Sequence, residues 1–338
     1  MLTLLGFRGI GPQLALRILR RFPTLSEVKQ APEVQLEPIV PTSVRVALRD
    51  LDAWEKALSR ARKIVSEAEY QKIEILTPAD KLFPEMLRRI PDCPAVLYAK
   101  GCLRPGNRYA ACVGTREPSQ FGVTVTRRIV AVLAANDWSI VSGLALGVDA
   151  VAHESALAER THTVAILANG LDSVYPKANA KLADSILAAG GVLLSEQPPG
   201  TPVIPRNLVQ RDRLQSGMSI GTVVMQTDVT GGSMHTVRFT LTQKRLLFVP
   251  VPSGQYAVEP KSQGLLALAR LTGPELSRVI KADGEYGKLL TRDHARSPVA
   301  VPLASREDYD TLLSRLDVAR RSPVASDPQT QILKIGDR

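Results

Sequence analysis

Five segments in the middle of the chain carry residue types suited to holding an anion. Gly114-Thr115-Arg116-Glu117-Pro118-Ser119 runs into Phe121-Gly122 at the start of a helical pattern. Glycine lets a backbone approach a ligand closely, a helix N-terminus offers unpaired N–H donors, and a guanidinium forks onto phosphate oxygens. Gly114, Thr115, Arg116, Ser119 and Gly122 are therefore candidate phosphate ligands, with an ordinary tight turn as the alternative. The spacing is not Gly-x-Gly-x-x-Gly, so a dinucleotide fingerprint is absent.

The second segment, Ser142 to His153, again joins strand to helix through glycine, and Ser142 and Gly143 join the candidates. Asp149 and His153 fall four residues apart on one helical face, a spacing that permits a carboxylate–imidazole pair. Acid–base work would need a third partner and a reactive atom, so the pair is read as orienting its loop. In the third segment, Asn169 to Asn179, Pro176 ahead of a helix would set Lys177 and Asn179 near an anion at the same sheet edge, unless Lys177 is simply solvated. The fourth and fifth, Arg211 to Ser219 and Thr230 to Thr236, act together. Gly231-Gly232-Ser233 before a helix forms an anion nest, and Arg206, Arg211, Arg213, Lys244 and Arg245 concentrate charge nearby. The alternative for Arg211 and Arg213 is pairing with Asp212 and neighbouring acids.

Positioning these loops requires short strands alternating with helices. Strands are expected at Ile73–Leu76, Ala95–Tyr98, Tyr109–Val113, Ser139–Ser142, Thr163–Leu167, Val192–Leu194, Thr222–Gln226 and Leu246–Val249, with helices near 121–135, 148–159, 177–189 and 233–244. Such alternation forces right-handed crossovers, hence an α/β fold with a doubly wound, mainly parallel, Rossmann-like sheet over residues 71–272. Ligands of such sheets lie beyond the C-terminal strand ends, where all five segments fall.

Ahead of the core, residues 1–70 read as a small helical module. Gly9-Ile10-Gly11 before apolar Leu14, Ile18 and Leu19 at helical spacing suggests a helix-hairpin-helix or SAM-like start, or a plain packing module. A proline-marked linker over 31–42 precedes a helix over 43–69. A C-terminal α/β extension covers 273–318, with a helix at 264–271 leading in, a strand at 299–302 and a helix at 306–316. Residues 319–338, rich in Ser, Pro, Asp and Gln, read as a disordered tail.

The formal charge is +10, and residues 81–280 hold 21 Lys/Arg against 14 Asp/Glu. That central surplus favours a polyanion partner. Cys93, Cys102 and Cys112 lack paired spacing and neighbouring histidines, so neither a disulfide framework nor a metal site is expected. The basic N-terminus is broken by Gly9-Ile10-Gly11-Pro12 and lacks serine before Ser26, unlike a transit peptide. With no membrane-spanning apolar run, a cytoplasmic protein is expected.

Taken in order, Gly114-Thr115-Arg116, Ser142 to His153, Gly170 to Asn179, Ser195-Glu196-Gln197-Pro198-Pro199-Gly200, Arg211 to Ser219 and Gly231-Gly232-Ser233 resemble the conserved motifs of the DprA/Smf family over roughly residues 73–270. Asp80-Lys81-Leu82-Phe83-Pro84 and Pro94 to Gly101 resemble its lead-in. The resemblance implies a non-enzymatic, cofactor-free, metal-free homodimer that coats single-stranded DNA and loads the RecA recombinase in natural transformation and recombination. It further implies that Arg116, Lys177, Arg211 and Arg213 contact the phosphate chain, with Gly114, Gly143 and Gly232 permitting its approach.

Two departures stand out. Where the family has Phe-Pro before Arg-Asn-Arg, this chain has Leu208-Val209-Gln210, and Asp212 replaces the central Asn. Base stacking is worth about 1–3 kcal/mol per base, so its loss shifts weight to phosphate contact or to another ligand. The family's C-terminal winged helix is not evident. Related Rossmann-like folds offer a competing reading, a non-catalytic nucleotide sensor using the same pocket, as in phage defence. Phosphoribohydrolases of that superfamily need a helix-opening Glu, whereas Thr230 to Arg238 has no carboxylate at that spacing.

Overall fold

The computed structural model describes residues 1–106 and 108–321. The N-terminal helices are α1 (Leu2–Leu5), α2 (Pro12–Arg21), α3 (Leu25–Gln30), α4 (Glu33–Leu36), α5 (Thr42–Arg49) and α6 (Leu51–Tyr70). They close on Phe7, Ile18, Leu36, Val44 and Trp54; the Trp54 indole N–H donates to Leu48 O at 2.8 Å. The expected 43–69 helix is two helices, because the Asp50 carboxylate caps a fresh N-terminus by accepting from Asp52 N at 2.9 Å. The expected linker over 31–42 contains helix α4, started by Pro32 at its N-cap.

The remaining elements are β1 (Glu74–Leu76), α7 (Glu85–Arg88), β2 (Leu97–Gly101), β3 (Tyr109–Val113), α8 (Gln120–Ala134), β4 (Ser139–Ser142), α9 (Val148–Ala158), β5 (Thr163–Leu167), α10 (Ala180–Ala188), β6 (Val192–Ser195), α11 (Pro205–Met218), β7 (Gly221–Val224), α12 (Ser233–Thr242) and β8 (Leu246–Pro250). After them come α13 (Gln263–Arg270), α14 (Gly273–Val279), α15 (Gly284–Asp293), β9 (Val301–Leu303) and α16 (Asp308–Arg321).

All nine strands form one sheet in the order β1-β2-β6-β5-β4-β3-β7-β8-β9. The run from β6 to β9 is parallel, while β1 and β2 are antiparallel additions. This is the expected doubly wound, Rossmann-like sheet. Its apolar strands send successive side chains to opposite faces, and helices bury both faces. Ala110, Cys112 and Ile140 pack with α8, α9 and α16, whereas Ala111, Val141 and Val164 pack with Leu214 and Met218 of α11.

The C-terminal extension belongs to the same sheet, since Val301 of β9 pairs with Phe248 of β8. The last helix runs to Arg321, past the expected start of the tail at 319; residues 322–338 lie outside the described residues. Among the described residues, no helix is long and apolar enough to cross a membrane.

Candidate functional site

Strand order reverses at β3, whose neighbours are β4 on one side and β7 on the other. At such a switch point the loops leaving adjacent strands diverge and open a crevice. A cleft of about 470 Å³ lies there, lined by the loop after β3 (Gly114, Thr115, Arg116), the loop after β7 (Thr227, Asp228, Gly231, Gly232), the start of α12 and one face of α11.

The first wall is held rigidly. Thr115 N donates to Gln226 O at 2.8 Å and Thr115 O accepts from Val148 N at 3.1 Å. Gly147, at φ +76°, allows this approach: a Cβ there would sit 2.4 Å from Arg116 C and O. Arg116 itself is exposed and faces the cleft, with no hydrogen bond or ion pair among the described residues. The second wall is the N-terminus of α12. Gly232 and Ser233 supply its first amides, and α12 is long enough for the partial positive charge of its N-terminus to favour an anion.

The floor is a buried charge cluster on α11. Arg211 Nη1 donates to Gly143 O at 2.5 Å and Ile166 O at 2.6 Å, and its Nε donates to Asp212 Oδ1 at 3.1 Å. Burial pushes the Asp212 carboxyl up to about 6, against the opposing pull of Arg211. Asp149 is also raised by burial, with Arg211 and the N–H groups of Ala145 and Gly143 opposing.

Several residues expected at the site do other work. Ser119 N donates to Gln226 Oε1 at 2.8 Å and Ser119 Oγ accepts from Gln226 Nε2 at 2.9 Å; Gly122 leaves room for that amide, since a Cβ there would meet Gln226 Oε1 at 2.4 Å. The helix end expected to receive phosphate is thus plugged by Gln226. Ser142 Oγ donates to Cys112 O at 2.7 Å and is wholly buried. The Gly143 amide is taken by Asp149 Oδ2 at 3.0 Å. Asn179 Nδ2 donates to Leu144 O at 2.8 Å and Ala145 O at 3.1 Å, fastening the Gly143 loop.

Arg211 and Arg213 lie on a helix, not in a loop, and both are buried. Arg211 reaches the cleft, yet its guanidinium is bonded to the protein. Arg213 points elsewhere, pairing with Glu196 and with Asp92 Oδ2 at 3.2 Å, so its expected phosphate contact is replaced by a salt-bridge network. Arg245 is half-buried and also turned to the protein, donating to Met86 O at 3.0 Å.

Asp149 and His153 do not pair. Asp149 accepts from Gly143 N and Ala145 N of the preceding loop. His153 Nδ1 lies 2.7 Å from Thr163 Oγ1. Since that hydroxyl donates to Ile140 O, Nδ1 carries the proton. Burial lowers the imidazole to about 3, leaving it neutral.

Lys177 is exposed on a short 3₁₀ turn, Lys177–Asn179, beyond the cleft lining. Tyr175 and Arg116 both line a smaller recess beside the main cleft. Among the described residues, no group of three His, Cys, Asp or Glu is placed to hold a metal. The residue that sequence reasoning missed is Gln226, whose only signal was its place at the expected end of β7.

The profile of the family described as DNA recombination-mediator protein A matches residues 74–272. Protein Smf of Escherichia coli is 38% identical over 192 residues, 56% of this chain and 50% of that protein; the chain therefore spans half the length of that relative. DNA processing protein A of Streptococcus pneumoniae superposes with a TM-score of 0.61 at 27% identity, covering 77% of this chain and 88% of the other. DNA processing protein A of Helicobacter pylori, described for its single-stranded DNA binding mode, superposes with a TM-score of 0.54 at 25% identity, covering 72% and 96%.

Proposed function

This chain belongs to the DNA recombination-mediator protein A family, and from that premise we propose that its cleft binds the phosphate chain of single-stranded DNA. The observation that carries the reading is the unpaired Arg116 guanidinium sharing one cleft with the helix-start amides of Gly232 and Ser233. A mobile cation and fixed N–H dipoles together suit phosphate oxygens. Gly114 and Thr115 form the supporting wall, Gly231 starts the turn, and exposed Lys177 extends the basic track along the same sheet edge. The relative from Helicobacter pylori, described for binding single-stranded DNA, supports the choice of polymer.

The cleft is read as a binding site without catalytic turnover. Asp149 is held by backbone amides, and His153 is neutral and turned to Thr163, which supports that reading because neither is free to move a proton at a ligand. The physiological role that goes with it is protection of incoming strands by a homodimer and their delivery to RecA recombinase during transformation.

The test is fluorescence anisotropy of labelled oligothymidine and of the matching duplex at two salt concentrations, with the full chain and with Arg116→Ala. Salt-sensitive preference for the single strand is expected, and Arg116→Ala should weaken it about tenfold and flatten the salt dependence. Unchanged affinity in the variant overturns the assignment. Duplex-indifferent, weak binding would instead favour a mononucleotide ligand, read as a rise in melting temperature at saturation.

A further inference from the structure

The cleft carries two chemistries that a phosphate alone does not satisfy. One part, Arg116 with Gly232 and Ser233, favours negative charge. The other presents Asp212, whose Oδ1 accepts from Arg211 Nε while its Oδ2 has no hydrogen-bond partner among the described residues. Asp149, the neighbouring carboxylate, is occupied by the Gly143 and Ala145 amides, and Arg211 is bonded to two carbonyls, so neither can turn to compensate. A phosphate set against Asp212 is repelled in a poorly solvated site, whereas a group with N–H donors is attracted.

Leu208 and Asp212 are four residues apart on α11 and, with Val209, all line the cleft. An apolar wall beside an open carboxylate matches the face and donor edge of a nucleobase. Granting the single-strand reading above, we propose that the cleft seats one nucleotide with its phosphate at Arg116 and the α12 N-terminus and its base edge at Asp212, which selects guanine.

The choice of base follows from donor arrangement. Guanine alone sets a ring N–H and an exocyclic amino N–H side by side on its pairing edge, matching the two oxygens of a carboxylate. Thymine flanks its single ring N–H with two carbonyl oxygens that oppose Asp212. Adenine and cytosine offer an amino group next to a ring lone pair, and so one attraction against one repulsion.

Anisotropy titration of the full chain against oligothymidine, and against the same strand carrying guanine at every third position, tests this. The guanine-bearing strand should bind about tenfold more tightly, as a good bidentate base contact predicts. Replacing those guanines with inosine, which lacks the amino group, should remove most of the preference. Asp212→Asn should bring the two strands to within about twofold of each other while still binding oligothymidine. Equal affinity of the unaltered chain for all three strands overturns guanine selection and leaves the phosphate reading standing. Failure to bind any strand at low salt overturns the phosphate reading itself.

Discussion

Gln226 and Ser119 exchange two hydrogen bonds between the segment after β7 and the N-cap of α8, Ser119 N to Gln226 Oε1 at 2.8 Å and Gln226 Nε2 to Ser119 Oγ at 2.9 Å. Gln226 is wholly buried, and its amide nitrogen also donates to Ser262 Oγ at 3.1 Å and Glu259 Oε2 at 3.2 Å. One side chain thereby ties the loop after β3, the start of α8 and the segment before α13. A second tie, from Lys261 Nζ to Glu117 O at 2.7 Å, closes the same loop outside.

Gln226→Ala removes those bonds and leaves the partly buried Ser119 N without its partner. A buried unsatisfied donor costs about 1–3 kcal/mol, and the lost side-chain volume adds to it. The variant should lose about 2–4 kcal/mol, read as a lower denaturant midpoint at unchanged slope. A loss below about 0.5 kcal/mol would mean that Lys261 and the backbone bonds of Thr115 suffice to hold the loop.

Glycines 143 and 232 look alike in the sequence and should behave oppositely. A Cβ on Gly143 would fall 1.8 Å from Arg211 Nη1 and 2.3 Å from Gln215 Nε2, and Arg211 is buried and bonded. Gly143→Ala must therefore break the floor of the cleft, at a cost of about 3 kcal/mol or more. At Gly232, with φ −55° and no atom within 4 Å of a built Cβ, alanine fits. Gly232→Ala should change stability by no more than about 1 kcal/mol and keep its amide for an anion. Thermal melts of the two variants separate them, and equal losses would refute the packing argument.

β3, β4 and β5 have the bounds expected from Tyr109–Val113, Ser139–Ser142 and Thr163–Leu167, because runs of four or five largely apolar residues between turn signals are too short for a helix in such a chain. Helix α11 escaped notice because its buried face carries Arg211, Arg213 and Gln215, and a charged buried face erases the periodicity that marks a helix. The same ambiguity affected the site. Residue type separates neither an arginine that meets solvent from one that meets carbonyls, nor a glycine facing a ligand from one facing Arg211. Arg116 stays free because it is exposed on the loop after β3 and, among the described residues, no carboxylate pairs with it; Arg213 does not, because Asp92 and Glu196 converge on it.

The pH dependence of strand binding should trace to Asp212. Burial raises its carboxyl to about 6, and the charges acting on it are Arg211 on its own helix, Asp149 on α9 and Arg116 on the loop after β3. Asp228 and His235 line the same cleft. Ionised Asp212 opposes a phosphate nearby, while the protonated form does not, so the favourable contribution is present below about pH 6 and lost as pH rises through it. By linkage a bound phosphate raises the Asp212 carboxyl further. Oligothymidine should accordingly bind about three- to tenfold more tightly at pH 5.5 than at pH 7.5. His235, held below its ordinary value by burial and by Arg238, gains charge in the same direction, and Asp212→Asn separates the two. The Asn variant should bind oligothymidine more tightly than the parent at pH 7.5 and keep only the residual slope from His235. A full pH slope in Asp212→Asn would assign the effect to His235 instead.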